Sequence, residues 1–320
     1  MNPRRWAWLL GCWSLTAWAQ GQVFALAGKS PSDVNFVAAW QGCADEAKRQ
    51  GDTCLPLGVG GPAQARVQDA AITVALAQPL AGLAVSVSHS ALLAQSALAL
   101  AAQRQVPVIT FDSDLEPAHQ ALRRAYVGPD NVALGHALGL AARAAHPRGG
   151  RLCLLSGDAK DPNLNQRVWG VRQALSQQAT WPAGRRLRGE GGWREVDRCP
   201  WYSGDSAERA LKQMSIALGE MKVDAFIAVG HWPTLQPALF RATVRPLQAR
   251  LQGRQQDIFV SIGEPSEGQR QLMRDGLVRA YVAIDFQAMG RAAYLSMKRL
   301  ALGLAVEPMV RTPTVLLVRP

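Results

Sequence analysis

Residues 107–114 read PVITFDSD, and residues 126–135 follow as YVGPDNVALG. The first stretch is a β-branched apolar run that breaks into acidic and hydroxyl residues. That is the pattern of a buried strand presenting polar side chains at its carboxyl end. The second carries turn chemistry at Gly128-Pro129-Asp130, after which an alternation of strands and helices starts afresh. Upstream, strands are expected at 22–28, 53–58, 83–88 and 107–112, with helices at 35–50, 63–77 and 91–104. Downstream, strands are expected at 151–156, 197–200, 225–230, 257–264, 277–285 and 312–318. Helices at 165–178, 206–221, 234–253, 267–276 and 287–303 separate them. Alternation of this kind predicts an α/β fold with parallel sheets covered on both faces. Its restart predicts two doubly wound lobes with a cleft between them.

Composition narrows the function. The chain has 320 residues, 48% apolar and 18% charged, which excludes disorder, collagen and coiled coil. Net charge is +11, but the arginines are dispersed apart from 184–194 (GRRLRGEGGWR) and 241–254. No helix-turn-helix segment precedes the first strand. These charges read as solvated faces, and no nucleic-acid partner is expected.

Residues 1–20 read MNPRRWAWLLGCWSLTAWAQ. Arg4 and Arg5, a short apolar core over 6–17 and Ala17-Trp18-Ala19 form a secretory signal peptide with cleavage after Ala19. The apolar run is shorter than the ~20 residues a membrane crossing needs. Lipoprotein processing at Leu9-Leu10-Gly11-Cys12 is the alternative. Export leaves Cys43, Cys54, Cys153 and Cys199, an even set in an oxidising compartment. The expected pairing is Cys43–Cys54 and Cys153–Cys199, with four free thiols as the alternative. No Cys-x-x-Cys occurs and the five histidines are scattered, so no metal site is expected.

In doubly wound sheets ligands bind beyond the carboxyl ends of the strands. Those ends carry Lys29, Asp33, Asn35 and Phe36, then Asp112 and Ser113, then Asp161, Asn163 and Arg167. Further on come Trp201 and Tyr202, His231 and Trp232, Glu264, and Asp285. Aromatic rings stack on the C–H faces of sugars, and charged groups hydrogen-bond hydroxyls, so this is the chemistry of a polyol pocket. Enzymatic motifs fail. Gly58-Val-Gly60-Gly-Pro-Ala63 fits G-x-G-x-x-A but follows the second strand and lacks the acidic partner. Gly28-Lys29-Ser30 lacks the earlier glycine of a P-loop, and no G-x-S-x-G or S-x-x-K is present. No catalytic residue and no cofactor are expected.

The two opening stretches, with NLNQRVWGVRQAL (163–175), SIGEPSEGQRQLMRDGLV (261–278) and AIDFQAMGRAA (283–293), form an ordered set. In that set the chain resembles the type I periplasmic solute-binding proteins, in particular the sugar-binding branch serving ABC importers. The resemblance implies a clamshell of two lobes joined by a three-strand hinge, with crossings near 128–130, 285–286 and 303–304. The first lobe is then 20–128 with 286–303, and the second is 129–285 with 304–320. It implies that Phe36 stacks on a sugar ring, Asp33 contacts hydroxyls, and Asp112 takes two of them. Arg167 would reach the ring or anomeric oxygen, and Trp201 or Tyr202 would be the aromatic of the second lobe. Glu264 stands where the family usually has Asp. Ser113 replaces a frequent arginine, Gly230 an Asn or Asp, and Ile284, before Asp285, a common Gln. With Gly230-His231-Trp232-Pro233 these departures point to a different or larger ligand. The implied setting is a monomer in the periplasm that binds a sugar or polyol, with a sugar acid as one option. Its membrane partner is an ABC permease or, in the alternative, a sensor kinase or chemoreceptor.

Overall fold

The computed structural model describes residues 21–319 except 59, 62 and 251–254. The expected signal peptide and Cys12 lie outside the described residues. Two sheets form, one per lobe.

The first sheet contains β1 (Val23–Ala27), β2 (Thr53–Leu57), β3 (Gly82–Val85), β4 (Val108–Phe111), β5 (Ala125–Gly128) and β12 (Met309–Arg311). Their spatial order is β12-β5-β4-β3-β1-β2, and every pairing is parallel. Side chains alternate across a strand. Phe24 and Leu26 of β1 therefore join one apolar layer, while Ala25 and Ala27 join the other. The first layer is covered by α1 (Val34–Arg49) and α10 (Phe286–Ala301). The second is covered by α2 (Ala65–Ala75), α3 (Ser90–Gln95) and α4 (Ala97–Gln103). Burial on both faces explains why these strands read as unbroken apolar runs.

The single helix expected over 91–104 is two. Asp69 of α2 accepts from Ala97 N at 3.0 Å and from Ser96 Oγ at 2.8 Å, so a side chain from another helix caps α4 and breaks the run.

The second sheet holds β6 (Gly150–Ser156), β7 (Trp193–Glu195), β9 (Ala225–Ala228), β10 (Asp257–Ile262), β11 (Ala280–Ile284) and β13 (Thr314–Val318). The order is β13-β11-β10-β9-β6-β7, and the two-residue β8 (Trp201–Tyr202) also pairs with β6. The strand expected at 197–200 does not form; β7 and β8 flank it. Only β13 runs antiparallel, on β11. Helices α5 (Asn131–Ala145) and α6 (Pro162–Ser176) pack together beside this sheet. Helices α7 (Ala207–Gly219), α8 (Pro237–Arg250) and α9 (Glu267–Arg274) form a second group.

The chain passes between sheets after β5 and after β11. The third passage lies between Arg311 and Thr314, not at 303–304, because Met309–Arg311 pairs with Tyr126–Gly128 in the first sheet. Strand pairing, which no single strand reveals, decides that boundary.

Two disulfides are present, Cys43–Cys54 with Cα atoms 6.0 Å apart and Cys153–Cys199 at 5.3 Å. The first ties α1 to β2, and the second ties β6 to the segment before β8. Among the described residues no helix is long and apolar enough to cross a membrane.

Candidate binding cleft

Between the lobes lies a cavity of about 440 Å³ whose walls come from both. Its centre is Asp112, the first residue past β4. The backbone turns there with φ +57°, a left-handed conformation that Asp tolerates better than most residues. The turn aims the carboxylate across the gap. Asp112 accepts from Ser86 Oγ at 3.0 Å within its own lobe. From the other lobe it accepts Asn163 Nδ2 at 3.2 Å and Arg167 Nη2 at 3.1 Å.

Arg167 is buried and fixed along its whole guanidinium. It donates to Asn131 Oδ1 at 2.8 Å and to the Val229 carbonyl at 3.2 Å. Asn131 in turn donates to the Asp112 carbonyl, so the first crossing is tied to both charges. Helix α6 can stand this close to α5 because Gly135 has no Cβ; one would lie 1.9 Å from the Arg167 carbonyl oxygen.

Lys29 at the end of β1 is buried and donates to Asp161 Oδ2 at 2.6 Å and Asn163 Oδ1 at 2.8 Å, both across the gap. Asp33 caps α1 by accepting from Asn35 N, and its other oxygen accepts His231 Nε2 at 2.9 Å. Asn35 Nδ2 donates into His231 Nδ1 at 3.1 Å. The imidazole is thus held between two residues of the first lobe.

Burial pushes the Asp33 carboxyl up, but the hydrogen bonds from His231 and Asn35 together with the neighbouring positive charge outweigh it and hold the group below its ordinary range. Asp161 is pushed up by burial, against the pull of Lys29. Asp205 is pushed up to about 6 by desolvation, with Lys29 acting in the other direction.

Rings supply the apolar wall. Phe36 meets Phe111 and Phe286 edge-to-face, with centroids 6.2 and 6.0 Å apart. Trp232 explains the unusual Gly230. A Cβ there would lie 2.4 Å from the indole, so the ring occupies the space a side chain at 230 would need.

Of the residues expected at the site, Asp33, Asn35, Phe36, Asp112, Asn163, Arg167, His231 and Trp232 line this cleft together. The others do not. Ser113 is wholly buried behind Asp112, its carbonyl accepting from Val87 N. Trp201 packs against the core, and Tyr202 lines a separate surface depression with Trp169 and Arg172. Glu264 is exposed and pairs with Arg270 on the same surface. Asp285 caps α10 through Ala288 N at 2.8 Å. Strand-end position located these five, but each side chain lies outside the cleft.

The cleft also recruits Lys29, Ser30, Asp161, Asp205 and Ser206. Lys29 and Asp161 stand at strand ends that the sequence shows, beside the expected contacts but not among them. Asp205 follows a two-residue strand whose place is set only by pairing with β6. Gly61 and Ala63, from the stretch resembling a dinucleotide motif, line the cleft mouth, where Gly61 receives a hydrogen bond from Ser30.

Comparison with known proteins agrees with this geometry. A family model described as the periplasmic binding protein domain matches residues 24–305, so the chain belongs to that family. The family is periplasmic and consists of binding proteins rather than enzymes. No curated protein sequence matches the chain. Solved structures share the fold. GanP, a glucose-galactose binding protein from Geobacillus stearothermophilus, superposes with TM-score 0.76 at 19% identity, over 93% of this chain and 98% of its own. An ABC transporter solute-binding protein from Agrobacterium vitis with bound D-fucose gives 0.78 at 17% identity, over 93% and 96%. The XylFII–LytSN complex gives 0.74 at 17% identity, over 93% and 98%.

Proposed function

We propose that this protein captures a small polyhydroxylated molecule, a sugar or polyol, in the interlobe cleft and presents the closed form to an ABC importer. The observation that carries the reading is the convergence of Asp112 and Arg167, from opposite lobes, in one cavity beside Phe36 and Trp232. A ligand bonded to both lobes favours the closed state by its differential contacts. Among the described residues the moving bodies are 21–128 with 286–311 and 129–285 with 312–319. One neighbour of the same fold is described as a glucose-galactose binding protein and another has bound D-fucose, which supports a sugar ligand.

Signal-peptide removal after Ala19 delivers the mature chain to the periplasm. N-terminal sequencing starting at Gln20 is the expected result; an acylated Cys12 instead indicates lipoprotein processing. A fold shared with the XylFII–LytSN complex keeps a sensor partner as the second reading.

Native mass spectrometry of protein purified without refolding is the test of ligand class. The expected result is a co-purifying hydroxylated small molecule that raises the melting temperature when added back. Uptake of that molecule by cells lacking the protein separates the partners. Lost uptake indicates an importer, whereas intact uptake with a lost transcriptional response indicates a sensor.

A further inference from the structure

One end of the cleft departs from what a neutral sugar requires. Asp161 precedes α6 in the N-cap position, where an aspartate normally accepts from the first turn of the helix. It makes no such bond. Its carboxylate is turned into the cleft instead, with Oδ2 on Lys29 and Oδ1 buried and without a hydrogen-bond partner among the described residues. The residue is 6% exposed. Asp205, on the same wall, receives no side-chain hydrogen bond among the described residues. Its Oδ1 lies beside the indole of Trp232, since both would crowd a Cβ placed on Gly157, at 2.8 Å each.

The charges agree. Four carboxylates line the cleft, Asp33, Asp112, Asp161 and Asp205, against two permanent cations, Lys29 and Arg167. His231 is engaged by Asp33 and Asn35. Counted over side chains, the lining carries two more carboxylates than permanent cations. Asp112 is satisfied by Ser86, Asn163 and Arg167. The carboxylate capacity left over is therefore concentrated at Asp161 and Asp205, next to an aromatic ring. Carboxylates bond an ammonium group by charge-assisted hydrogen bonds, and the face of a tryptophan attracts one.

We infer that the Asp161–Asp205–Trp232 end of the cleft takes a protonated amine, so that the ligand is an amine-bearing polyol rather than a neutral sugar or a sugar acid. This deepens the sugar-binding reading and rests on it. The sugar-acid option from the sequence is thereby replaced, because a ligand carboxylate at this end would face the carboxyl groups of Asp161 and Asp205.

The test is calorimetric titration at pH 7.5 with matched pairs. These are D-glucose and D-glucosamine, D-galactose and D-galactosamine, D-sorbitol and glucamine, with D-glucuronate as the acid. The expected result is that the amine of at least one pair binds tenfold or more tighter than its neutral partner. Asp205→Asn is expected to reduce that ratio at least fivefold, and Asp161→Asn provides a second variant should the first not fold. Neutral members binding as tightly as the amines overturn the amine assignment and leave the polyol reading standing. Preference for glucuronate overturns it in the opposite direction. Binding by none of the members overturns both the amine assignment and the sugar reading.

Discussion

Arg167 Nη2 of the second lobe lies 3.1 Å from Asp112 Oδ1 of the first, and both groups are buried. Neither half of this pair belongs to the other's sheet, so the contact exists only when the lobes meet. A buried ion pair is weak evidence for stability, because desolvating two charges offsets much of their attraction. Its value here is positional: it sets opposite charges at fixed points in a cavity where hydroxyls can be read.

Lys29 should act as a latch between the lobes. Lys29→Met removes its bonds to Asp161 and Asn163 and leaves Asp161 buried without a cation. The expected outcome is a more open ensemble without ligand, seen as a larger radius of gyration in small-angle scattering. An unchanged scattering profile would count against the latch.

Two carboxylates predict opposite pH slopes of stability. Burial raises the Asp52 carboxyl, but hydrogen bonds from Lys298, Tyr294 and Gln22 outweigh it, and the group sits below its ordinary value. It contributes stability that is present above about pH 4 and lost as pH falls further. Asp205, raised to about 6 by desolvation beside Lys29, Asp161, Asp33 and His231, does the reverse. Its folded state holds a proton that the unfolded chain releases, so its contribution declines as pH rises from about 4 to 6. Melting temperatures across pH 3–7 should show Asp52→Asn flattening the acid limb and Asp205→Asn removing the decline.

The longer disulfide loop should matter more. Closing the Cys153–Cys199 separation of 46 residues restricts the unfolded chain by about 4 kcal/mol, against about 3 kcal/mol for the 11 of Cys43–Cys54. Paired serine replacements compared by thermal unfolding check the order; equal losses would contradict it.

Gly135 should be intolerant of a side chain. Gly135→Val drives a Cβ into the Arg167 carbonyl and separates α6 from α5. The guanidinium then leaves Asn131, and ligand affinity is expected to fall at least tenfold with the circular dichroism spectrum unchanged. Retained affinity would show that the Asn131 contact does not position Arg167.

Much of this architecture was legible because strands buried on both faces announce themselves as apolar runs. The break at Ser96 was hidden, since its cause is Asp69, a residue on another helix. The third crossing was displaced for a similar reason: Met309–Arg311 is assigned by its partner β5, not by its own sequence. At the site, Asp112 and Arg167 could be named because they stand at a strand end and near a helix start within recognisable stretches. Ser113, Glu264 and Asp285 stand in equivalent places, yet a buried turn, a surface ion pair and a helix cap occupy them. Asp205 went unnoticed because β8 has only two residues, too few to carry a period.

The most direct test of the cleft is titration of wild type, Asp112→Asn and Arg167→Met with the small molecule that co-purifies. The structure predicts that each substitution weakens binding at least tenfold while far-ultraviolet circular dichroism stays native. Native-like variants that both bind as tightly as wild type would contradict it, and the ligand would then have to sit elsewhere.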